Sequence, residues 1–237
     1  MNKATNNFLQ ELKSRGDVLG VILFGSWARG NSRPDSDVDL VVILSDGYQR
    51  TVEQRGTQIF EIIYTTEKDA LEYWASHPDD AAGLWQVAKV LYDRDGTIER
   101  LRANATEILK RGKKPINARQ REQFHFDAED QVEYTQRILA LDPATASLIL
   151  TNKVFSLTEL FFDLRRRWTP APKQRLAEIA AISRQFSELL QKFYAEDASM
   201  KEKFAVAKQI IAVVFGEPED GHLRSGTGTE TTAPERL

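Results

Sequence analysis

Apolar and polar positions divide the chain into two parts with different periodicity. In the first part, short β-branched runs between turn residues are typical of buried strands. These predicted strands cover residues 18–24, 37–44, 57–64 and 90–93. A helical pattern at 3–14 precedes them, and further helices are expected at 67–75 and 79–89. The polar segment 47–56 interrupts the strands, so a mixed α/β unit is predicted.

After residue 120 the apolar positions recur at helical spacing. The predicted core positions are Phe124, Ala128, Val132, Thr135 and Leu139, then Leu148, Phe155, Leu157, Leu160 and Phe161, and later Leu176, Ile179, Ile182 and Phe186. A last amphipathic stretch covers Met200–Phe215. The pattern therefore predicts a bundle of four or five helices.

Together these patterns predict an α+β chain with two domains. We expect a catalytic domain with a mixed sheet and flanking helices at 1–112, and an all-α domain at 113–215 that binds the acceptor. From Gly216 the chain is rich in Gly, Pro, Ser, Thr and charged residues, which predicts a disordered tail at 216–237.

A glycine-serine turn and two carboxylates stand out within the first part. Gly25 and Ser26 follow a predicted strand, where the missing Cβ and the hydroxyl suit a phosphate group. Asp37 and Asp39 are two residues apart, so on a strand they point to the same side. Adjacent carboxylates repel unless a cation lies between them, and Mg²⁺ prefers such oxygen ligands. The alternative is a solvated, aspartate-rich turn.

These residues resemble the signature of a known superfamily. Gly25-Ser26-x-x-Arg29-Gly30 with Asp37-x-Asp39 is similar to the motif of DNA polymerase beta-like nucleotidyltransferases, in their small stand-alone branch. That branch includes aminoglycoside and lincosamide nucleotidyltransferases and the minimal enzymes of toxin–antitoxin pairs. The motif covers about residues 20–44, and the surrounding elements extend the resemblance to about residue 95. The resemblance implies transfer of a nucleoside monophosphate from a triphosphate, with ATP as first choice, and two Mg²⁺ ions.

A third carboxylate is commonly needed in such a two-metal site. Glu61 lies in the middle of a strand-like apolar run, where an acid is costly unless it is paired or binds metal. The resemblance places a third acid at an equivalent position, so Glu61 is predicted as a metal ligand or general base beside Asp37 and Asp39. The alternative is an edge strand whose glutamate faces water.

The nucleotide site has four further candidate residues. Gly25 and Ser26 are predicted to hold phosphate, and Arg29 to pair with phosphate or with a nearby carboxylate. Lys173 follows a run of three arginines, Trp168 and two prolines, a junction that suits a nucleotide pocket. We expect Lys173 to reach phosphate and Trp168 to stack, although capping of a helix end explains the arginines equally.

Two charged stretches have both a structural and a functional interpretation. The basic residues between 100 and 121 fit a solvated helix end and linker, or a contact to the triphosphate; they include Arg102, Lys110, Arg111, Lys113, Lys114 and Arg119. Asp127, Asp130 and Glu133 form an acidic strip on one predicted helix. The strip is a solvated face, or a wall for a cationic acceptor in which one acid serves as base.

The composition bears on where the protein is located in the cell and on which partners it binds. The 237 residues carry a net charge of −3 and no cysteine. The balanced charge argues against a nucleic-acid partner, and the lack of cysteine fits a cytoplasmic protein. The N-terminal residues lack the apolar core of a signal peptide, and no apolar stretch approaches the ~20 residues that span a bilayer. A homodimer that buries part of the helical domain is compatible with the sequence.

Three functional hypotheses follow. The first is a magnesium-dependent enzyme that modifies a hydroxyl of a small molecule, such as an aminoglycoside or lincosamide, and so confers antibiotic resistance. The second is an antitoxin-type adenylyltransferase that modifies a partner protein. The third is a non-catalytic, nucleotide-binding regulator. A helical domain of about 110 residues after the catalytic domain favours the small molecule.

Overall fold

A five-stranded sheet forms the first part of the chain. The computed structural model describes residues 3–33 and 35–216. The strands are β1 (Val18–Phe24), β2 (Val38–Leu44), β3 (Gln49–Arg55), β4 (Gln58–Thr66) and β5 (Lys89–Asp93). Their order is β3-β4-β2-β1-β5, in which β2 and β4 are parallel and the other pairs are antiparallel. The sheet is mixed, as the sequence predicts.

Helices cover both faces of this sheet. They are α1 (Lys3–Ser14), α2 (Gly25–Arg29), α3 (Glu67–Ser76), α4 (Pro78–Trp85) and α5 (Thr97–Arg111). On one face, Phe8 and Leu12 of α1 pack in a cluster with Phe60. On the other face, Trp74 of α3 and Leu101 of α5 belong to a second cluster, which also includes strand residues. The sheet is therefore the middle layer between two apolar clusters.

The second part of the chain is a five-helix bundle. Its helices are α6 (Ala118–Ile138), α7 (Pro143–Leu164), α8 (Pro172–Ile182), α9 (Arg184–Phe193) and α10 (Met200–Phe215). Capping boxes begin α6 at Asn117 and α10 at Ser199, because each side chain accepts a backbone N–H three residues later. Phe161, Phe186 and Phe193 are fully buried in the core of the bundle. The predicted bundle of four or five helices is confirmed.

The prediction for residues 47–56 was incomplete, because most of the segment forms strand β3. Its sequence is polar on both faces, since β3 pairs only with β4 and lies at the edge of the sheet. Four predicted core residues of the bundle were also wrong, with exposed fractions between 39% and 71%: Phe124, Leu148, Phe155 and Leu176. Helical spacing identified the helices, but not which of their apolar residues face a neighbour.

The proposed division at residues 112–113 falls between α5 and α6. The predicted tail, apart from Gly216, lies outside the described residues. Within the described ranges, no helix has both the length and the apolar character needed to cross a membrane.

Candidate active site

A glycine turn brings the backbone directly against a carboxylate. Gly25 directly follows β1 and is the first residue of α2, with a φ of +67°, a conformation that L side chains rarely adopt. A Cβ at this position would lie 1.7 Å from Oδ2 of Asp39. Only glycine therefore allows both this backbone conformation and this close approach.

The three predicted carboxylates lie at one end of two paired strands. Asp37 directly precedes β2, and Asp39 is in β2 opposite Glu61 of the parallel strand β4. Because side chains alternate along a strand, Asp39 and Glu61 share the face that farther along carries Val41 and Ile63. Glu61 is thus on the strand next to the aspartates, as the sequence analysis expected.

Electrostatic repulsion marks this end of the sheet. Burial raises the pKa of Asp39 above its usual value, and the nearby Glu61 and Asp37 raise it further. Lys173 and Arg29 act in the opposite direction on the same pKa. The described residues donate no side-chain hydrogen bond to the carboxylate of Asp39. The protein therefore holds a partly buried charge that a cation would stabilise.

The carboxylates are not gathered into a complete metal-binding group. Among the described residues, no set of three acid, histidine or cysteine side chains converges in that way. One reason is visible at Glu61, whose Oε1 forms an ion pair with Arg50 of β3. The donor chemistry nevertheless fits a hard cation, since Asp37 and Asp39 offer carboxylate oxygens without a competing hydrogen-bond donor in the described chain.

A cleft of about 1000 Å³ opens between the sheet and the bundle. Its charged lining residues are the acids Asp39, Glu61, Asp69, Asp79, Asp80, Glu159 and Asp163, and the cations Arg29, Arg50, Lys173 and Arg175. Seven carboxylates thus face four cations. The volume lies at the upper end of small-molecule sites, and the lining has an excess of negative charge.

The bundle supplies the second wall through the segment 169–175. Lys173 lies in this wall, close enough to Asp39 to affect its pKa. Arg175 is buried and ion-pairs with Glu159 of α7 at 3.1 Å. Trp168, predicted to stack on the nucleotide, is not among the described residues that line the cleft. Sequence reasoning also missed Arg175, which no motif distinguishes from the other arginines.

The basic residues between 100 and 121 lie outside the cleft, whereas a contact to a triphosphate would require them to lie in it. Their least exposed member, Lys113, pairs with Asp163 of α7 and, at 2.9 Å, with Asp79 of α4. Lys113 also donates to Thr169 at 2.8 Å, so one ammonium group connects both parts of the chain. No residue of the basic stretch lines the cleft within the described chain. The location favours the structural interpretation.

The acidic strip of α6 also lies away from the cleft. Asp127 accepts a hydrogen bond from Gln123 at 2.8 Å, and Glu133 pairs with Arg137 at 3.9 Å. Asp130 is exposed. None of the three acids is among the described residues that line the cleft, which favours a solvated helix face.

Comparison with known proteins decides the family. The sequence model of a protein family described as a nucleotidyltransferase domain matches residues 5–94. A protein of Methanocaldococcus jannaschii with an inferred assignment as a protein adenylyltransferase is 30% identical over 125 residues, which is 47% of this chain and 84% of that protein. The chain belongs to the nucleotidyltransferase family. The resemblance noted in the sequence is thereby confirmed.

Three further matches of this nucleotidyltransferase are shorter or lower in identity. A second M. jannaschii protein with the same inferred assignment is 44% identical over 43 residues, 17% of this chain and 43% of that protein. The structural alignment with a nucleotidyltransferase-like protein of Exiguobacterium sibiricum covers 90% of this chain and 73% of that protein, with 12% identity and a TM-score of 0.48. The alignment with spectinomycin adenyltransferase AAD(9) of Enterococcus faecialis covers 90% of this chain and 95% of that protein, with 13% identity and a TM-score of 0.38.

Membership of the family makes this protein a transferase enzyme with nucleotidyltransferase activity. The hypothesis of a non-catalytic regulator is therefore wrong. The physical reason agrees with this outcome, because a regulator has no need to hold mutually repelling carboxylates at the end of a sheet.

Proposed function

We propose that this enzyme transfers AMP from ATP to a hydroxyl group of a cationic small molecule, such as an aminoglycoside, with release of pyrophosphate. The observation that carries the proposal is the cleft, whose seven carboxylates outnumber its four lining cations even when Lys113, which pairs with Asp79 and Asp163 from outside the lining, is added. A negatively charged cleft attracts a positively charged acceptor and orients its amines. Antibiotic resistance is the biological role that such an acceptor suggests.

The glycine turn and the two aspartates hold the triphosphate end of the donor in this proposal. The backbone N–H of Gly25 and the hydroxyl of Ser26 donate to phosphate oxygens, and Lys173 supplies a positive charge from the other wall. Asp37 and Asp39 are the residues that would hold Mg²⁺. When bound, the metal neutralises the charge on the transferring phosphate and on the leaving group.

Glu61 is the proposed metal ligand or general base. Arg50 engages its Oε1, while Oε2 accepts no hydrogen bond from a described residue. The second oxygen is therefore the atom that would face the metal or take the proton of the acceptor hydroxyl. Arg50 orients the carboxylate in this arrangement.

A mass-spectrometric transfer assay tests the proposal. The full-length protein is incubated with MgCl₂, each of the four nucleoside triphosphates, and a panel of aminoglycosides and lincosamides. We expect an adduct with the mass of AMP on at least one acceptor. The adduct should disappear in Asp37→Asn and persist in Asp130→Asn, which makes the same change on an exposed face of α6. If no small molecule gains a nucleotide, the proposed acceptor class is wrong.

A second candidate acceptor is a partner protein. The observation in its favour is that both M. jannaschii relatives carry an inferred assignment as protein adenylyltransferases. For this candidate, the same assay is repeated with proteins that co-purify from the native host, and the adduct is sought on a polypeptide. An AMP adduct on a protein, with every small molecule unmodified, would favour this candidate over the first.

A further inference from the structure

Arg29 has an unexpected partner. The sequence left phosphate and a nearby carboxylate as its two expected partners, but no carboxylate of the described residues lies within ion-pair distance of its guanidinium. Instead, the side-chain amide of Gln174 lies against the guanidinium, and in the orientation assigned to this amide its oxygen accepts from Nη1 of Arg29 at 2.8 Å and from Nη2 at 3.1 Å. Gln174 is in α8, so this contact joins the helical bundle to the glycine turn.

The orientation of this amide follows from hydrogen-bond chemistry. A guanidinium group has only donors, whereas a glutamine amide has an acceptor at one end and donors at the other. The amide oxygen must therefore face Arg29, because the opposite orientation would place donors against donors.

The chemistry of this partner differs from that of a carboxylate in one important respect. Glutamine can orient a guanidinium group, but it does not neutralise the positive charge. Arg29 lines the cleft and lies near Asp39, so its charge stays available at the site proposed for the triphosphate. A glutamate at position 174 would orient Arg29 equally well and would cancel that charge.

The helical turn that carries Gln174 is anchored by the residue that follows it. The next residue, Arg175, is buried, donates to Thr158 Oγ1 at 3.1 Å and to the Pro170 carbonyl at 3.3 Å, and pairs with Glu159 at 3.1 Å. Its guanidinium also lies over the ring of Phe155. The first turn of α8 is thus fixed to α7, and Gln174 approaches Arg29 from a rigid element.

We propose that Gln174 is a positioning residue of the nucleotide site, which aims the Arg29 guanidinium at the triphosphate while leaving its charge intact. The inference rests on the proposed function, because it takes ATP as the ligand. It also gives the helical bundle a second residue that acts in nucleotide binding, beside Lys173.

Calorimetric titration of the full-length protein with Mg-ATP tests this role. Loss of a hydrogen bond that orients a charged group is expected to weaken ATP binding about tenfold in Gln174→Leu. Gln174→Glu should also weaken binding about tenfold, although it keeps the contact to Arg29 and should melt at the same or a higher temperature. A merely structural role predicts wild-type affinity for Gln174→Glu. Gln191→Glu adds the same charge on an exposed position of α9 and serves as the control.

A double variant gives a second, independent readout. If Gln174 acts through Arg29, then Arg29→Met with Gln174→Leu should bind ATP no more weakly than Arg29→Met alone. Wild-type affinity in both Gln174 variants, or additive losses in the double variant, would overturn the positioning role while the proposed function stands. Absence of Mg-ATP binding by the wild-type protein would overturn the proposed function and this inference together.

Discussion

The two walls of the cleft differ in how far their carboxylates are paired with positive charges. On the sheet wall, Asp39 and Glu61 lie close together, and the pKa of Asp39 is raised by burial and by the nearby Glu61 and Asp37. On the bundle wall, Arg175 is paired with Glu159, and Asp163 with Lys113. On the sheet wall, Glu61 is paired with Arg50, but no described residue forms an ion pair with Asp39, whereas both acids of the bundle wall are paired.

This difference distinguishes the residues proposed for the chemistry from those that stabilise the fold around them. Holding like charges together costs folding free energy, and a bound cation would offset this cost. Matched charges at low exposure are costly to break, because the remaining partner is left without a counter-charge. Neutralising a carboxylate on the sheet wall should remove activity without loss of stability, whereas breaking an ion pair on the bundle wall should reduce stability first.

The largest effect is expected from Asp39→Asn. The variant keeps the shape of the side chain but loses the charge that would hold Mg²⁺, so AMP transfer should fall by about a thousandfold or more. Initial rates under saturating Mg-ATP measure this loss, and Asp130→Asn serves as the control for a neutralised aspartate outside the cleft. A variant that keeps a tenth of the wild-type rate would show that Asp39 is not a metal ligand.

A matched pair of glycine variants tests the geometry of the sheet wall. Gly25 and Gly30 both have positive φ, at +67° and +80°, so alanine at either position strains the backbone by about 1 kcal/mol. Only at Gly25 would the new Cβ meet a carboxylate, that of Asp39. Gly25→Ala should lose about a hundredfold in rate, and Gly30→Ala should stay close to wild type. Equal rates in the two variants would contradict the importance of this contact.

Breaking the matched charges of the bundle wall should act mainly on stability. Arg175→Met removes a buried cation and its hydrogen bonds, so we expect the free energy of unfolding to fall by about 2 kcal/mol. Arg184→Met breaks an exposed pair with Glu188 in which the arginine is 90% exposed, and should change stability by less than about 0.5 kcal/mol. Urea unfolding compares the two, and similar losses would remove the distinction between the walls.

A smaller effect is expected on the stability of the fold at alkaline pH, through a contact between two helices that cover the sheet. Tyr73 of α3 donates to Asp80 at 2.5 Å, and this bond, with burial, raises the pKa of Tyr73 to about 12. The folded state thus holds the phenol proton more tightly than the unfolded state, whose tyrosines titrate near pH 10. The stabilisation is complete below about pH 10 and is lost as the pH rises through about 12.

Tyr73→Phe provides the test of this pH dependence. The variant lacks the phenol group, so its stability should decline less between pH 10 and 12 than that of the wild type. Thermal melts across this range, with phenolate absorbance as a second signal, measure the difference. Parallel declines in the two proteins would show that Tyr73 does not contribute.

Local patterns predicted the elements that carry chemistry. The apolar run before Gly25 and the spacing of Asp37 and Asp39 identified the strands and the family, because these signals lie within about 25 residues. Glu61 was expected on a neighbouring strand, and the parallel register of β2 and β4 places it opposite Asp39. Its catalytic role stays a prediction.

Features that depend on contacts across the chain could not be predicted. Strand β3 was missed because an edge strand with polar residues on both faces has the composition of a loop. The contact of Arg29 with Gln174 joins residues far apart in sequence, and no periodicity indicates it. Apart from Asp39 and Glu61, the acids of the cleft come from helices of both parts of the chain, and the sequence pointed instead to the strip at Asp127, which lies elsewhere.

The central claim is that the sheet wall holds its carboxylates for a metal-bound nucleotide rather than for stability. Differential scanning calorimetry of the wild type and Asp39→Asn, each with and without Mg-ATP, tests it most directly. We expect the metal-free variant to melt at the same temperature as the wild type or about 2–4 °C higher, and Mg-ATP to stabilise only the wild type. A variant that melts several degrees lower without metal, or that Mg-ATP stabilises equally, would contradict the claim.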